Sequence, residues 1–217
     1  MRQVFDNELE ELLDKFTEMG ELVNDAIYKA VKSFINHDKV LATEVIEQDQ
    51  KINDLEKEID VLCIELIALQ QPNTSDLRRI VTTLQASNDL ERMGDHAVSI
   101  CYSTIRVKGN KRSDHIESAL NDMGEIIKWM GQEIVKAFTH FDMEHAVDVA
   151  SRDDEIDYLT HEVKKGAIKR MKNDPDIVWG AIDYVLVSNY IERIGDYVTN
   201  IAEEIVYLET GEIRELN

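Results

Sequence analysis

Four short segments of the 217-residue chain place an acidic residue one helical turn before a second carboxylate or its amide: Asp49 and Asn53, Glu91 and Asp95, Asp153 and Asp157, Glu192 and Asp196. At i,i+4 spacing both side chains share one face of a helix, about 5–6 Å apart. Carboxylates withdrawn from water at that distance must be protonated, paired with Lys or Arg, or bound to a metal. Sets of oxygen donors suit hard or borderline multivalent cations. Spacing alone decides nothing, since 44 acids in this chain give about nine such pairs by chance, mostly on solvated faces. What raises these four above chance is that they repeat.

"SNDLERMGDHAV" at 87–98 recurs as "SNYIERIGDYVT" at 188–199, with Glu91 and Glu192 offset by 101 residues. "EQDQKINDLEKEI" at 47–59 recurs as "SRDDEIDYLTHEV" at 151–163 with a constant offset of 104, pairing Asp49 with Asp153, Ile52 with Ile156, Asn53 with Asp157 and Leu55 with Leu159. Breakers repeat as well: "HDKV" at 37–40 matches "FDME" at 141–144, and Pro72 matches Pro175. Apolar spacing between the breakers predicts six helices over 3–36, 39–70, 75–107, 114–141, 143–172 and 176–209. The polar stretch "KGNKRSD" at 108–114 reads as a linker between repeats. The expected fold is therefore all-α, two repeated three-helix bundles with approximate internal two-fold symmetry, over residues 1–108 and 114–217.

On the third helix a 3-4 seam runs Leu77, Val81, Leu84, Asn88, Glu91, Asp95, Val98, Tyr102, Ile105, with a second apolar stripe, Leu90, Met93, Ala97, Ile100, beside it. The last helix repeats the arrangement through Asn189, Glu192 and Asp196. These patterns place the carboxylates on the wide packing face. Gly94 and Gly195 stand inside both motifs, although Gly costs about 1 kcal/mol in a helix relative to Ala. Close approach of a neighbouring helix, or room for a ligand, explains such a choice. The alternative to a metal is a network in which Arg92 and Arg193 neutralise the acids.

Composition excludes several functions. A net charge of −20 opposes phosphate backbones and argues against direct nucleic-acid binding. No apolar run approaches the roughly 20 residues of a membrane span, and the N-terminus lacks a signal-peptide core, so a cytoplasmic protein is expected. Cys63 and Cys101 fall in apolar helical pattern and read as buried thiols, and Met19, Met93, Met123, Met130 and Met171 as core. There is no Glu-x-x-His pair of the di-iron oxidase kind, no GxxxxGK[ST] loop and no nucleophile with a matched base. His161 reads as a surface or core residue. A non-enzyme is expected; a carboxylate-metal hydrolase of phosphate compounds and a purely structural scaffold are the alternatives. The apolar face Val23, Ala26, Ile27, Ala30, Phe34 offers a surface for a homodimer.

The two three-helix repeats, the "ERMGD" and "ERIGD" segments and "YIERIGDYVTNIAEE" near the C-terminus resemble the PhoU family of phosphate-specific transport regulators over essentially the whole chain. The resemblance implies multinuclear metal clusters, with iron favoured and manganese, zinc, magnesium or calcium also suited to the donors. It assigns Glu91 and Asp95, Glu192 and Asp196, and Asp153 and Asp157 to the metal motifs. Asp49 matches as well, but Asn53 stands where the second acid belongs, which implies a weaker first-repeat site. It further implies negative regulation of phosphate uptake and starvation signalling through the ATPase subunit of a phosphate ABC transporter and a sensor histidine kinase. The protein would then sit at the inner face of the membrane through these partners.

Overall fold

The computed structural model describes residues 2–107 and 111–216. Its helices are α1 (Arg2–Asn36), α2 (Lys39–Gln70), α3 (Thr74–Arg106), α4 (Asp114–His140), α5 (Met143–Ala150), α6 (Asp153–Asn173) and α7 (Val178–Thr210), with one 3-10 turn at Pro175–Ile177. No strand occurs among the described residues. The chain is all-α and built from two three-helix repeats, as the offsets predict. Residues 108–110 of the expected linker lie outside the described residues.

The repeated breakers work the same way in both halves. His37 and Phe141 adopt left-handed φ values of 53° and 54°, ending α1 and α4. Asp38 then caps α2 by accepting from the N–H groups of Val40 and Leu41, and Asp142 caps α5 by accepting from His145 N–H at 3.0 Å. Asn73 caps α3 after Pro72, and Asp174 precedes Pro175 at the corner leading into α7.

One element differs from expectation. The fifth helix is broken at Ser151–Arg152, where Arg152 N–H and Glu155 N–H bond three residues back, to Val149 O and Arg152 O. Ser151 Oγ donates to Asp148 O at 2.7 Å, and such side-chain competition loosens the helical ladder. Neither Gly nor Pro marks the break, so periodicity alone runs through it. The break makes Asp153 the first residue of α6 and buries it, 3% exposed.

Helices α1, α3, α4 and α7 form the centre, with α2 flanking α1 and α3, and α5 and α6 flanking α4 and α7. Phe16 on α1 meets Phe138 on α4 with ring centroids 4.3 Å apart, and Phe34 meets Tyr184 edge-on. Val23, Ile27, Ala30 and Phe34 are thus buried inside the chain. The α1 face expected to pair two copies is consumed by packing within one chain, and a homodimer would need another surface. Met19, Met93, Met123 and Met130 are fully buried and Met171 packs on the core. Cys63 and Cys101 are free buried thiols, each pushed up to about 12 by burial.

The linker is tied down where it is described. Tyr184 O–H donates to Glu117 Oε1 at 2.6 Å, Arg112 Nε donates to the same oxygen at 2.6 Å, and Ser113 N–H donates to the Tyr184 hydroxyl at 3.1 Å. This network anchors the start of α4 to α7.

Candidate functional site

Helices α3 and α7 pack antiparallel, since Arg78 near one end lies over the Tyr207 ring and Arg106 near the other pairs with Asp183. His96 sits midway, its ring stacked against Tyr190 and Tyr197 at 5.8 and 5.7 Å. Burial lowers the His96 pKa, so its neutral form is favoured there. The two "ER(M/I)GD" motifs therefore flank the centre of the molecule, one opening toward α2 and the other toward α6.

The seam placement needs correction. It is the Leu90, Met93, Ala97, Ile100 stripe that is wholly buried, whereas Leu77, Val81, Tyr102 and Ile105 of the other seam are exposed. Helix α3 packs against α1, α2 and α7, so apolar residues ring much of its circumference, and the polar trio belongs to the outer edge of that ring. The motif side chains line surface grooves between helices, with Asp153 alone among the eight buried.

In the first groove, α2 supplies Asp49 and Asn53 and α3 supplies Glu91 and Asp95. Asn53 Nδ2 donates to Asp49 Oδ2 at 3.0 Å. Partial burial raises the Asp49 pKa; the Asn53 bond opposes this and the Asp95 charge adds to it. Glu91 is raised by burial and then by Asp95, with Glu56 and Asp49 contributing further and Arg92 opposing. Glu56 is itself raised by burial and by Asp60, and Asp60 Oδ1 is buried without a hydrogen-bond partner. Spacing did not single out Glu56 and Asp60. The signal was available, because the pair is another i,i+4 step, one turn beyond Asn53 on the same helix.

In the second groove, α6 supplies Asp153 and Asp157 and α7 supplies Glu192 and Asp196. Asp157, although exposed, is raised by partial desolvation, then by the Asp196 and Asp154 charges. Basic residues reach both groove acids of α7: Lys164 Nζ lies 3.7 Å from Glu192, and Arg193 Nη1 lies 3.0 Å from Asp196. The offset of 104 places Thr160 at the equivalent of Glu56 and Lys164 at the equivalent of Asp60. The repeats have thus diverged in charge: the first lost an acid at Asn53 but carries two that the second lacks.

Both motif glycines face the preceding helix. A Cβ at Gly195 would overlap Asp153 Oδ1, and one at Gly94 would touch Ile52 at 3.4 Å and Asp49 Oδ1 at 3.6 Å. Close helix approach brings each Asp to its motif. Among the described residues no three His, Cys, Asp or Glu side chains stand grouped as a ready-made metal cage. His161 is exposed, and His145 pairs with Glu133 at 2.9 Å, outside both grooves.

The PhoU domain family matches residues 16–104 and 120–205, one copy on each repeat. The chain belongs to the PhoU family. It is 36% identical over 217 residues, the full length of both chains, to a Streptococcus pneumoniae protein named a phosphate-specific transport system accessory protein PhoU homolog. A Clostridium acetobutylicum protein of the same name is also 36% identical, covering 100% of this chain and 99% of the relative. The crystal structure of the phosphate transport system regulatory protein PhoU from S. pneumoniae superposes with a TM-score of 0.91 at 33% identity, covering 97% of this chain and 99% of that one. That of PhoU from Pseudomonas aeruginosa gives 0.91 at 33%, covering 96% and 100%. The doubled PhoU repeat is thus the whole architecture, and the relatives are named as accessory or regulatory proteins. No described helix is long and apolar enough to cross a membrane.

Proposed function

We propose that this chain is a non-enzymatic negative regulator of phosphate uptake and of phosphate-starvation signalling. It acts by docking on the ATPase subunit of a phosphate ABC transporter and on a sensor histidine kinase when phosphate is plentiful. The observation that carries the reading is its end-to-end likeness to proteins named accessory or regulatory components of phosphate transport. A cytoplasmic location at the inner face of the membrane follows from those partners. The test is deletion of the gene followed by phosphate uptake and starvation-gene expression in high phosphate. Both rise if the reading holds, and two unchanged values reject it.

The grooves support a second part of the proposal, in which each holds cations through oxygen. Asp49, Glu56, Asp60, Glu91 and Asp95 would form the first donor set, with Asn53 adding its amide oxygen after rotation, and Asp153, Asp157, Glu192 and Asp196 the second. The residues fit such ions: Asp49, Glu91 and Asp157 are held above the usual carboxylate range by partial desolvation and by neighbouring acids, and Asp60 keeps an orphaned buried oxygen. A multivalent cation would relieve that repulsion and supply charge neutralisation and cross-linking of adjacent helices. Iron is favoured by family likeness; manganese, zinc, magnesium and calcium accept the same donors in part or whole.

A further inference from the structure

The two outer helices correspond in sequence position but not in surface charge. On α6, Tyr158, His161, Lys165, Ile168, Lys169 and Lys172 recur at steps of three and four, so they share one face, and all are exposed. The offset of 104 puts Val61, Glu65 and Ala68 of α2 where α6 has Lys165, Lys169 and Lys172. A chain of net charge −20 therefore carries on α6 a lysine stripe that the corresponding positions of α2 lack. Lys165 pairs with its helical neighbour Glu162 at 3.1 Å, and Lys169 and Lys172 make no ion pair among the described residues.

Beyond the end of this stripe stands Trp179, 80% exposed, in the first turn of α7. The 3-10 turn that precedes it packs on α6. The acids of that corner, Asp174 and Asp176, are both held by Lys111 at 2.8 and 3.1 Å. Arg170 reaches back to the Arg112 carbonyl at 3.1 Å and fixes the corner to the linker. Lysines beside an exposed indole, a tyrosine and an isoleucine match the chemistry of a bilayer surface, where phosphates lie over apolar chains and aromatic rings settle between them.

We propose that the exposed α6 face and Trp179 bind anionic lipid headgroups directly. The lysines meet lipid phosphates, while Ile168 and Trp179 enter the headgroup layer. The acids of α6 itself, Asp153, Asp154, Glu155 and Asp157, lie in its first two turns, away from Lys165, Lys169 and Lys172, and Glu162 is paired with Lys165. Charges more than about 8 Å from the contact are screened at physiological ionic strength. Nearby lysines therefore govern the approach, and the repulsive remainder orients the molecule with α6 down. The proposal is independent of the carboxylate grooves and of the docking partners named above.

The test is flotation of the full chain with vesicles of phosphatidylglycerol and phosphatidylcholine, against vesicles of phosphatidylcholine alone. Binding is expected to the anionic vesicles only, weakening with salt and accompanied by a blue shift of tryptophan emission. Each lysine removed should lower the partition about fivefold. K165Q/K169Q/K172Q should then fall to the level of neutral vesicles while keeping its circular dichroism spectrum, and K51Q/K57Q on α2 should bind as the parent does. W179A should bind more weakly and lose the blue shift. Equal binding to both vesicle types, no binding at low salt, or retention by the triple variant overturns the proposal. So does salt-sensitive self-association without vesicles that the triple variant abolishes, if anionic vesicles fail to compete with it, because the face would then belong to a second copy of the chain.

Discussion

Asp153 on α6 lies directly against Gly195 on α7, so close that a Cβ at position 195 would overlap its Oδ1. Asp153 is 3% exposed and cannot swing into solvent without losing its packing. Gly195→Ala should therefore destabilise the protein by about 1–3 kcal/mol through overpacking. The equivalent Gly94→Ala meets its nearest neighbour at 3.4 Å, so helix propensity there offsets crowding and the change should stay within about 1 kcal/mol of neutral. Denaturant midpoints of the two variants decide it, and equal losses would count against the difference between the repeats.

The charge divergence of the grooves predicts unequal affinity. The first groove has Glu56 and Asp60 where the second has Thr160 and Lys164. Titration with manganese should show a tighter class of site that weakens about tenfold or more in E56Q/D60N, while the looser class is unaffected. Lys164→Gln should tighten the looser class instead, because it frees Glu192 from a cation 3.7 Å away. A single affinity class insensitive to both changes would contradict the assignment.

Two more carboxylates give stability a definite pH dependence. Burial raises Asp89 to about 6, against the opposing Asn200 hydrogen bond and the Arg92 charge. Burial followed by the Asp89 charge raises Glu204 to about 7. Both groups bind protons more strongly in the folded than in the unfolded chain, so their contribution is full near pH 4 and declines as pH rises through 6 and 7. Glu204→Gln should add about 1–2 kcal/mol at pH 8 and little at pH 5. Urea unfolding at the two pH values checks the sign, and a gain confined to pH 5 would refute it.

Arg106 on α3 donates from Nε to Asp183 Oδ1 on α7 at 3.1 Å, and its Nη2 reaches both that oxygen and Ser103 Oγ. Asp183 is 5% exposed while Arg106 is largely exposed, so the cost of breaking the pair falls on the buried acid. Arg106→Ala should lose about 2–3 kcal/mol, and adding Asp183→Asn should recover about half of it. Thermal unfolding of the double-mutant cycle measures the coupling; additive losses would show that the pair does not hold the repeats together.

Much of this was legible in the sequence because repetition is strong information. Offsets of 104 at Asp38 and Asp142, 103 at Pro72 and Pro175, and 101 at the two glycine motifs set helix number and order before any contact was known. Three features were not. The break before Asp153 has no Gly or Pro to mark it and depends on a serine bond to the backbone. The seam through Glu91 and Asp95 has a helical period shared by the buried stripe next to it, and only packing against three neighbours decides which stripe faces inward. Glu56 and Asp60 have the i,i+4 spacing but no repeat to lift them above the many chance pairs, and only the packing of α2 against α3, which brings the Glu56 charge to Glu91, makes them part of the groove.

The metal content of the purified chain tests the two-groove account most directly. Parent, D49N/E91Q/D95N and D157N/E192Q/D196N proteins are loaded with iron or manganese, dialysed against buffer and assayed by elemental analysis, with circular dichroism confirming the fold. Each triple variant should lose the cations of its own repeat and retain those of the other. Unchanged metal in both variants, or no metal retained by the parent, would contradict the account.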